Sequence, residues 1–372
     1  MITIIILLIL ATISIQSLTN TGLFKNAQKA KDETQNAAEN QAKTLNEYED
    51  ELNKYISGTP ETPPVAQVKK VADNVETVLS TTDNTELQDA YGNKIVVPAG
   101  FKITNDATTV DKGIVIEDAT VDSEGKATAT SGSQFVWIPV GKIYTDTSKT
   151  EANAKTIELN RYTFDTNGNP TVQNENIVET YFQELETSNK GNTVAKSILN
   201  FKTSVATNGG YYIGRYEARQ KNGKITVTKN DTVWNNITQP NAATQAQNMY
   251  DSTTFTSDLM NSYAWDTATL FLQTCGTNAT YSRQIRVSTA LSQTGTNTQS
   301  TKDVQCNVYD MASNVREWTT ETSFRTSNDT CVLRGGNYFF SDNYTSYRDY
   351  YATSFSIDLN GFRPLLYVGL NS

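Results

Sequence analysis

Three short stretches, Val308–Thr319 (VYDMASNVREWT), Val332–Tyr338 (VLRGGNY) and Gly361–Val368 (GFRPLLYV), decide how this chain folds. Each pairs residues that need a partner with residues that need space. Trp318 reads as a core anchor, with Glu317 ion-paired or hydrogen-bonded beside it. Gly335 and Gly336 permit a close backbone approach or dihedrals that a side chain would forbid. Arg334 and Arg363 read as buried guanidinium braces, because a planar group with five donors can satisfy the carbonyls of an irregular chain.

Between the second and third stretches lies Asn337–Asn360, NYFFSDNYTSYRDYYATSFSIDLN, rich in Tyr, Phe, Ser, Asp and Asn and without Lys, Glu, Gln, Met or Trp. Tyr and Phe supply rigid apolar area at little entropic cost, and Ser, Asn and Asp supply adaptable hydrogen bonds, which is the chemistry of a paratope. The five absent types are also those that a codon ending in a pyrimidine after two free bases cannot encode. An irregular, aromatic-rich core segment is the alternative reading.

With 372 residues the chain has room for one large domain or two moderate ones plus an extension. A net charge of −9 disfavours nucleic acid as a partner, since phosphate contacts need a surplus of Lys and Arg. There is no histidine, which removes imidazole metal sites and Ser-His or Cys-His nucleophile pairs. Cys275, Cys306 and Cys331 form no C-x-x-C, so a cysteine-cage zinc site is not expected. One disulfide with a leftover thiol and three unpaired thiols are both open, and spacing does not choose the pair. No metal and no cofactor are expected. Calcium is a weaker option, without a D-x-D-x-D-G loop to support it.

Ile2–Ile15 is apolar apart from small hydroxyl residues, and no charge precedes Lys25. Leu23, Ala27, Ala30, Ala38, Ala42, Leu45, Tyr48, Leu52 and Tyr55 then recur mainly in steps of three and four, as in a long amphipathic helix. The organisation expected is an anchor and helix over 1–56, a Pro-containing linker over 57–84, a small β-rich lead-in over 85–132 and a head over 133–369. Val68, Val71, Val75, Val78 and Leu79 suggest a second short amphipathic segment inside the linker. In the head, 95–97, 113–116, 135–140, 211–216 and 225–227 read as strands, and roughly 193–205 and 257–273 as helices, with Tyr263, Ala264, Leu270 and Phe271 as a buried stripe. Segregated helices among irregular strands give α+β as the fold class.

FVWIPVG (135–141), GGYYIGRYEA (209–218), Trp265–Ala268, VYDMASNVREWT, VLRGGNY and GFRPLLYV follow one another in an order that resembles the formylglycine-generating enzyme and sulfatase-modifying-factor superfamily. The resemblance covers about Ser133 to Val368 and implies a C-type-lectin-like head. Members that oxidise thiols hold copper on a cysteine pair just after the R-G-G motif, whereas here Asn337–Asp342 contains no cysteine and Cys331 precedes the motif. Iron-dependent members need histidines. A catalytic relative would have to use Asp310, Glu317 or the cysteines, so no enzymatic activity is expected. The segment before GFR is where the variable proteins of diversity-generating retroelements, which share this fold, carry their variable region. That resemblance implies a diversifiable ligand-binding surface over 337–360, with Phe339, Phe340, Asp342, Tyr347, Asp349, Tyr350, Tyr351, Phe355, Ile357, Asp358 and Leu359 as contacts and Arg348 and Asn337 as frame. The N-terminal run resembles type IV pilins, although the basic leader, processing site and early glutamate of those proteins are missing. The expected setting is the extracellular surface, tethered to a membrane through residues 2–15 or associated with a pilus, with a protein or glycan on another cell, phage or host surface as partner. A structural, minor-pilin-like subunit is the alternative. Deleting residues 1–57 should therefore leave a soluble head that melts cooperatively. Aggregation or loss of the melting transition in that truncation would show that the helix belongs to the head's core.

Overall fold

The computed structural model describes residues 68–124, 126–173, 181–296 and 303–369, together with Lys31. The expected anchor, amphipathic helix and the linker up to residue 67 lie outside the described residues. The chain divides into two compact units, Met1–Gln67 and Val68–Ser372. The second is mostly β-sheet with few helices.

A six-stranded sheet is formed by β1 (Phe101–Ile103), β2 (Val115–Val121), β3 (Ala127–Pro139), β5 (Gly210–Gly214), β6 (Phe255–Leu259) and β11 (Pro364–Val368), in the order β6-β11-β5-β3-β2-β1. A five-stranded sheet contains β4 (Phe182–Glu184), β7 (Arg316–Ser323), β8 (Cys331–Arg334), β9 (Arg348–Tyr351) and β10 (Asn360–Phe362). β4, β7, β8 and β9 run antiparallel in that order, and β10 pairs with β7 in parallel. The chain passes from one sheet to the other at Arg363.

The expected strands at 95–97, 135–140, 211–216 and 225–227 are present in substance. The run 113–116 supplies only the start of β2. The helices shift. α1 spans Ile198–Asn208, because Ser197 takes the N-cap and its hydroxyl accepts from the Asn200 amide at 3.1 Å. Ser257–Leu259 is strand, and α3 begins at Ser262 after Asn261 caps it, running to Cys275. α2, Gln239–Gln247, was not expected: it has Pro at its start and a mostly polar sequence. Nor does 68–79 form a helix. Its apolar residues are placed by isolated bridges, Val75 to Ile103 and Val78 to Lys102, with Val71 fully buried.

α3 is buried on every side from Ser262 to Gln273, not along one stripe. A helix enclosed in this way must satisfy its polar residues internally. Trp265 Nε1 donates to the Thr345 carbonyl at 2.9 Å, and Asp266 joins a buried charge network. That network sets Arg161, Arg334 and Arg348 against Asp266 and Glu321, all with almost no exposure. It ties α3 to β7, β8 and β9. A second brace is Arg363, whose guanidinium donates to both Glu317 oxygens and to the carbonyls of Gly214 at 2.7 Å and Tyr309 at 2.8 Å. Trp318 Nε1 donates to the Ile237 carbonyl at 2.7 Å. A Cβ at Gly335 would lie 2.4 Å from the Met311 carbonyl oxygen, and one at Gly336 2.0 Å from that of Ala312. The two glycines thus allow the LRGG strand end to press against the DMA turn.

Burial by itself would raise the Glu321 carboxyl, but Arg348, Arg161 and Arg334 hold it down at about 2. Its folded-state value is depressed, so its contribution is present above the unfolded carboxylate value and is lost as pH falls towards 2. Glu321→Gln should cost about 3–5 kcal/mol at neutral pH, since it strands buried arginines, and should remove part of the acid sensitivity. Urea melts across the acid range check both; an unchanged midpoint at neutral pH would refute the network's role.

Candidate functional site

The segment Asn337–Asn360 leaves the sheet after Gly336, comes back as the edge strand β9, and ends in β10. Its first residue is frame, as expected. Asn337 is buried, and its side-chain oxygen accepts from the amides of Phe339 and Phe340, both at 2.8 Å. This tight turn projects both phenylalanines outward, with 64% of Phe339 and 38% of Phe340 exposed. Their rings meet edge to face at 5.2 Å. The Arg286 guanidinium donates to the Phe339 carbonyl from a neighbouring loop.

Strand alternation sends β9 side chains to two faces. On one face Arg316, itself buried, donates to Asp349 and, at 3.0 Å, to Asn360 Oδ1. The Tyr351 hydroxyl accepts from Arg316 at 3.3 Å and donates to Asp349 at 3.1 Å. The Phe340 and Tyr351 rings lie 5.5 Å and 5.1 Å from the Arg316 guanidinium. Phe355 stacks on Tyr351 at 4.0 Å with planes 5° apart. Asp349, Asn360, Tyr351, Phe340 and Phe355 form one connected patch around a buried cation.

On the other face Tyr350 packs against Phe182 at 6.2 Å, with Arg325 over both rings. A cleft of about 350 Å³ opens there, lined by Phe164, Phe182, Tyr344, Tyr347 and Tyr350. Burial raises the Tyr347 hydroxyl, and the charges of Asp349 and Asp342 add to the shift. Arg283 lies 3.5 Å from the centre of the Tyr344 ring. Arg348, the other expected frame residue, is held in the charge network by Asp266 and Glu321.

The expected contact set therefore divides. Phe339, Phe340, Asp349, Tyr351 and Phe355 gather on the Arg316 side, and Tyr347 and Tyr350 on the cleft side. Asp342 is exposed, and its charge acts on the Tyr347 hydroxyl. Asp358 is exposed and accepts from the Tyr338 hydroxyl at 2.8 Å. Ile357 is half-buried, its carbonyl accepting from the Asn236 amide at 3.1 Å. Leu359 is a correction: it is buried, and its carbonyl accepts from the Arg316 amide at 2.8 Å as the chain re-enters the sheet. An apolar residue three positions before Phe362 is readable as core. Tyr338 and Tyr344, outside the expected contact set, share the segment's composition. Arg283, Arg286, Arg316 and Arg325 come from other parts of the chain, and nothing local in the sequence marks them.

Asp310 and Glu317, the catalytic candidates, are both fully buried, within a cluster completed by Glu217, Asp303 and Arg363. Arg363 holds Glu317, and the Tyr281 hydroxyl donates to Asp303 at 2.6 Å. Asp310 and Glu217 receive no well-aligned hydrogen bond. Burial raises both carboxyls, and each is pushed up further by a neighbouring acid, Asp303 for Asp310 and Asp310 for Glu217. Both are enclosed, and the shift favours their neutral form. Among the described residues no group of three or more His, Cys, Asp or Glu could hold a metal ion.

No family model and no curated protein matches the chain. Solved structures that are similar in part include the following two. CarF, known from a crystal structure, aligns at 14% identity over 44% of this chain and 87% of its own, with a TM-score of 0.30. Treponema denticola variable protein 1 aligns at 14% identity over 71% of this chain and 98% of its own, with a TM-score of 0.23.

The buried acids give a pH dependence opposite in sign to that of Glu321. Their folded-state values are raised above the unfolded carboxylate value of about 3.9–4.3, so folding retains protons and stability falls as pH rises above that range. Asp310→Asn should flatten this decline in denaturant melts between mildly acidic and alkaline pH. An identical slope in the variant would mean that Asp310 is ionised in the folded protein.

Proposed function

We propose that this chain displays a diversifiable ligand-binding surface, formed by residues 337–360, on a C-type-lectin-like head. One observation carries the reading. Within 337–360 the buried, bonded residues (Asn337, Leu359, Asn360) and the half-buried Arg348, held by Asp266 and Glu321, are interspersed with residues open to solvent (Phe339, Phe340, Asp342, Asp358) or half-open to it (Tyr347, Tyr350, Phe355). A segment built this way can change its outward residues while its frame stays put. The aromatic side chains are already fixed by stacking and by Arg316, so little entropy remains to be lost on binding. The ligand class that suits exposed Phe and Tyr beside Asp is a protein or glycan surface. The N-terminal run would tether the head to a membrane or fibre at a cell surface. Among the described residues no helix is long and apolar enough to cross a membrane.

A library randomised at Phe339, Phe340, Asp342, Tyr347, Tyr350, Phe355 and Asp358 should yield mostly folded clones, and selection against an arbitrary folded protein such as lysozyme should recover binders. A matched library at Asn337, Arg348, Leu359 and Asn360 should yield mostly unfolded ones. Equal folding yields from the two libraries would remove the division between frame and surface on which the reading rests. A near-copy of the codons for 337–360 close to the gene, differing only where the copy has adenine and lying beside a reverse transcriptase gene, would establish diversification directly.

A further inference from the structure

Sequence spacing leaves open which, if any, of the cysteines pair. Cys331 lies in β8, fully buried beside Gln239, in the core around Trp318. Cys275 and Cys306 lie elsewhere, both half-buried against the main core. Cys275 is the last residue of α3. Cys306 begins a two-residue hairpin loop between Gln305 and Val308, where both it and Asn307 have positive φ (43° and 64°). Such loops favour Asn or Gly, so a cysteine in the first left-handed position is a costly choice for a merely structural residue.

The residues next to the two cysteines are bolted together. Gln305 Oε1 accepts from the Thr277 amide at 2.7 Å and from the Asn278 amide at 3.3 Å. The contact is so close that a Cβ on Gly276 would lie 2.2 Å from that oxygen. Both thiols also share one electrostatic neighbourhood: each is influenced by Asp111 and Lys112, and Cys306 is influenced by Cys275 as well. Cys306 Sγ donates to the Asp111 carbonyl at 3.6 Å.

We infer that Cys275 and Cys306 are a redox pair that closes a disulfide under oxidising conditions, leaving Cys331 as a free thiol. Each thiol gives up its hydrogen as the S–S bond forms, and the two electrons and two protons pass to a small-molecule disulfide, which is reduced to two thiols. Burial pushes both thiols above the ordinary cysteine range, so exchange in the folded protein is slow and is helped by mildly alkaline pH. The bond would close the segment 276–305, which flanks the recognition surface. Ile285 bridges to Tyr344, the Thr345 amide donates to the Gln284 carbonyl at 3.1 Å, and Arg286 holds the Phe339 carbonyl.

The test incubates the full chain with oxidised glutathione or with dithiothreitol, alkylates it after denaturation, and maps its peptides by mass. Oxidation should yield a peptide linking Cys275 to Cys306, lighter by two hydrogens, with Cys331 alkylated. The oxidised protein should melt roughly 5 °C or more above the reduced one. That difference should vanish in Cys275→Ser and persist in Cys331→Ala. Comparing oxidised with reduced wild-type protein keeps the test sound if either variant folds poorly. Three alkylated thiols after oxidation, glutathione adducts without a cross-link, or a bond to Cys331 would each overturn the assignment.

Discussion

The buried cluster of Arg161, Arg334, Arg348, Asp266 and Glu321 is the constraint on which the rest of the head depends. Five charges out of water are tolerable only if each is paired in good geometry. That requirement fixes α3, which carries Asp266, against β7, which carries Glu321, and fixes both against β8 and β9. The chain between Arg334 and Arg348 must leave and return within these limits. Its turn geometry is therefore imposed from below, by the charge network and by the close approach at Gly335 and Gly336.

This arrangement separates the residues that hold the segment from those that face solvent. The side chains that hold the segment point into the network or the core, and the aromatic residues that face out rest on it. Arg316 extends the same logic to the surface: its guanidinium is satisfied by Asp349 and Asn360, and its flat face supports Phe340 and Tyr351. Cation–π contacts of this kind are worth about 0.5–2 kcal/mol each, enough to fix a side chain but not to fold a domain. Changing an outward ring should cost the fold little.

The buried acids near Arg363 work in the other direction. Glu217 and Asp310 have no opposing charge of their own, and Arg363 is already committed to Glu317. Burial and the neighbouring acids both raise these carboxyls, which favours their neutral form.

The anchoring residues were legible in the order of residues alone. Trp318, Gly335, Gly336, Arg334 and Arg363 could be read as core, close approach and guanidinium braces, because each of those residue types has few other uses in such a pattern. The paratope-like composition of 337–360 and the excess of strand over helix were legible there too. Which side chains face which way, and what they meet, depends on the folded chain. Alternation along β9 splits Tyr350 from Tyr351, a division that composition cannot express. Leu359 is buried because the chain has already turned into β10. The helical pattern at 68–79 is overridden because its valines find partners in strand bridges. The arginines that line the site arrive from distant positions, and long-range proximity leaves no local trace in a chain.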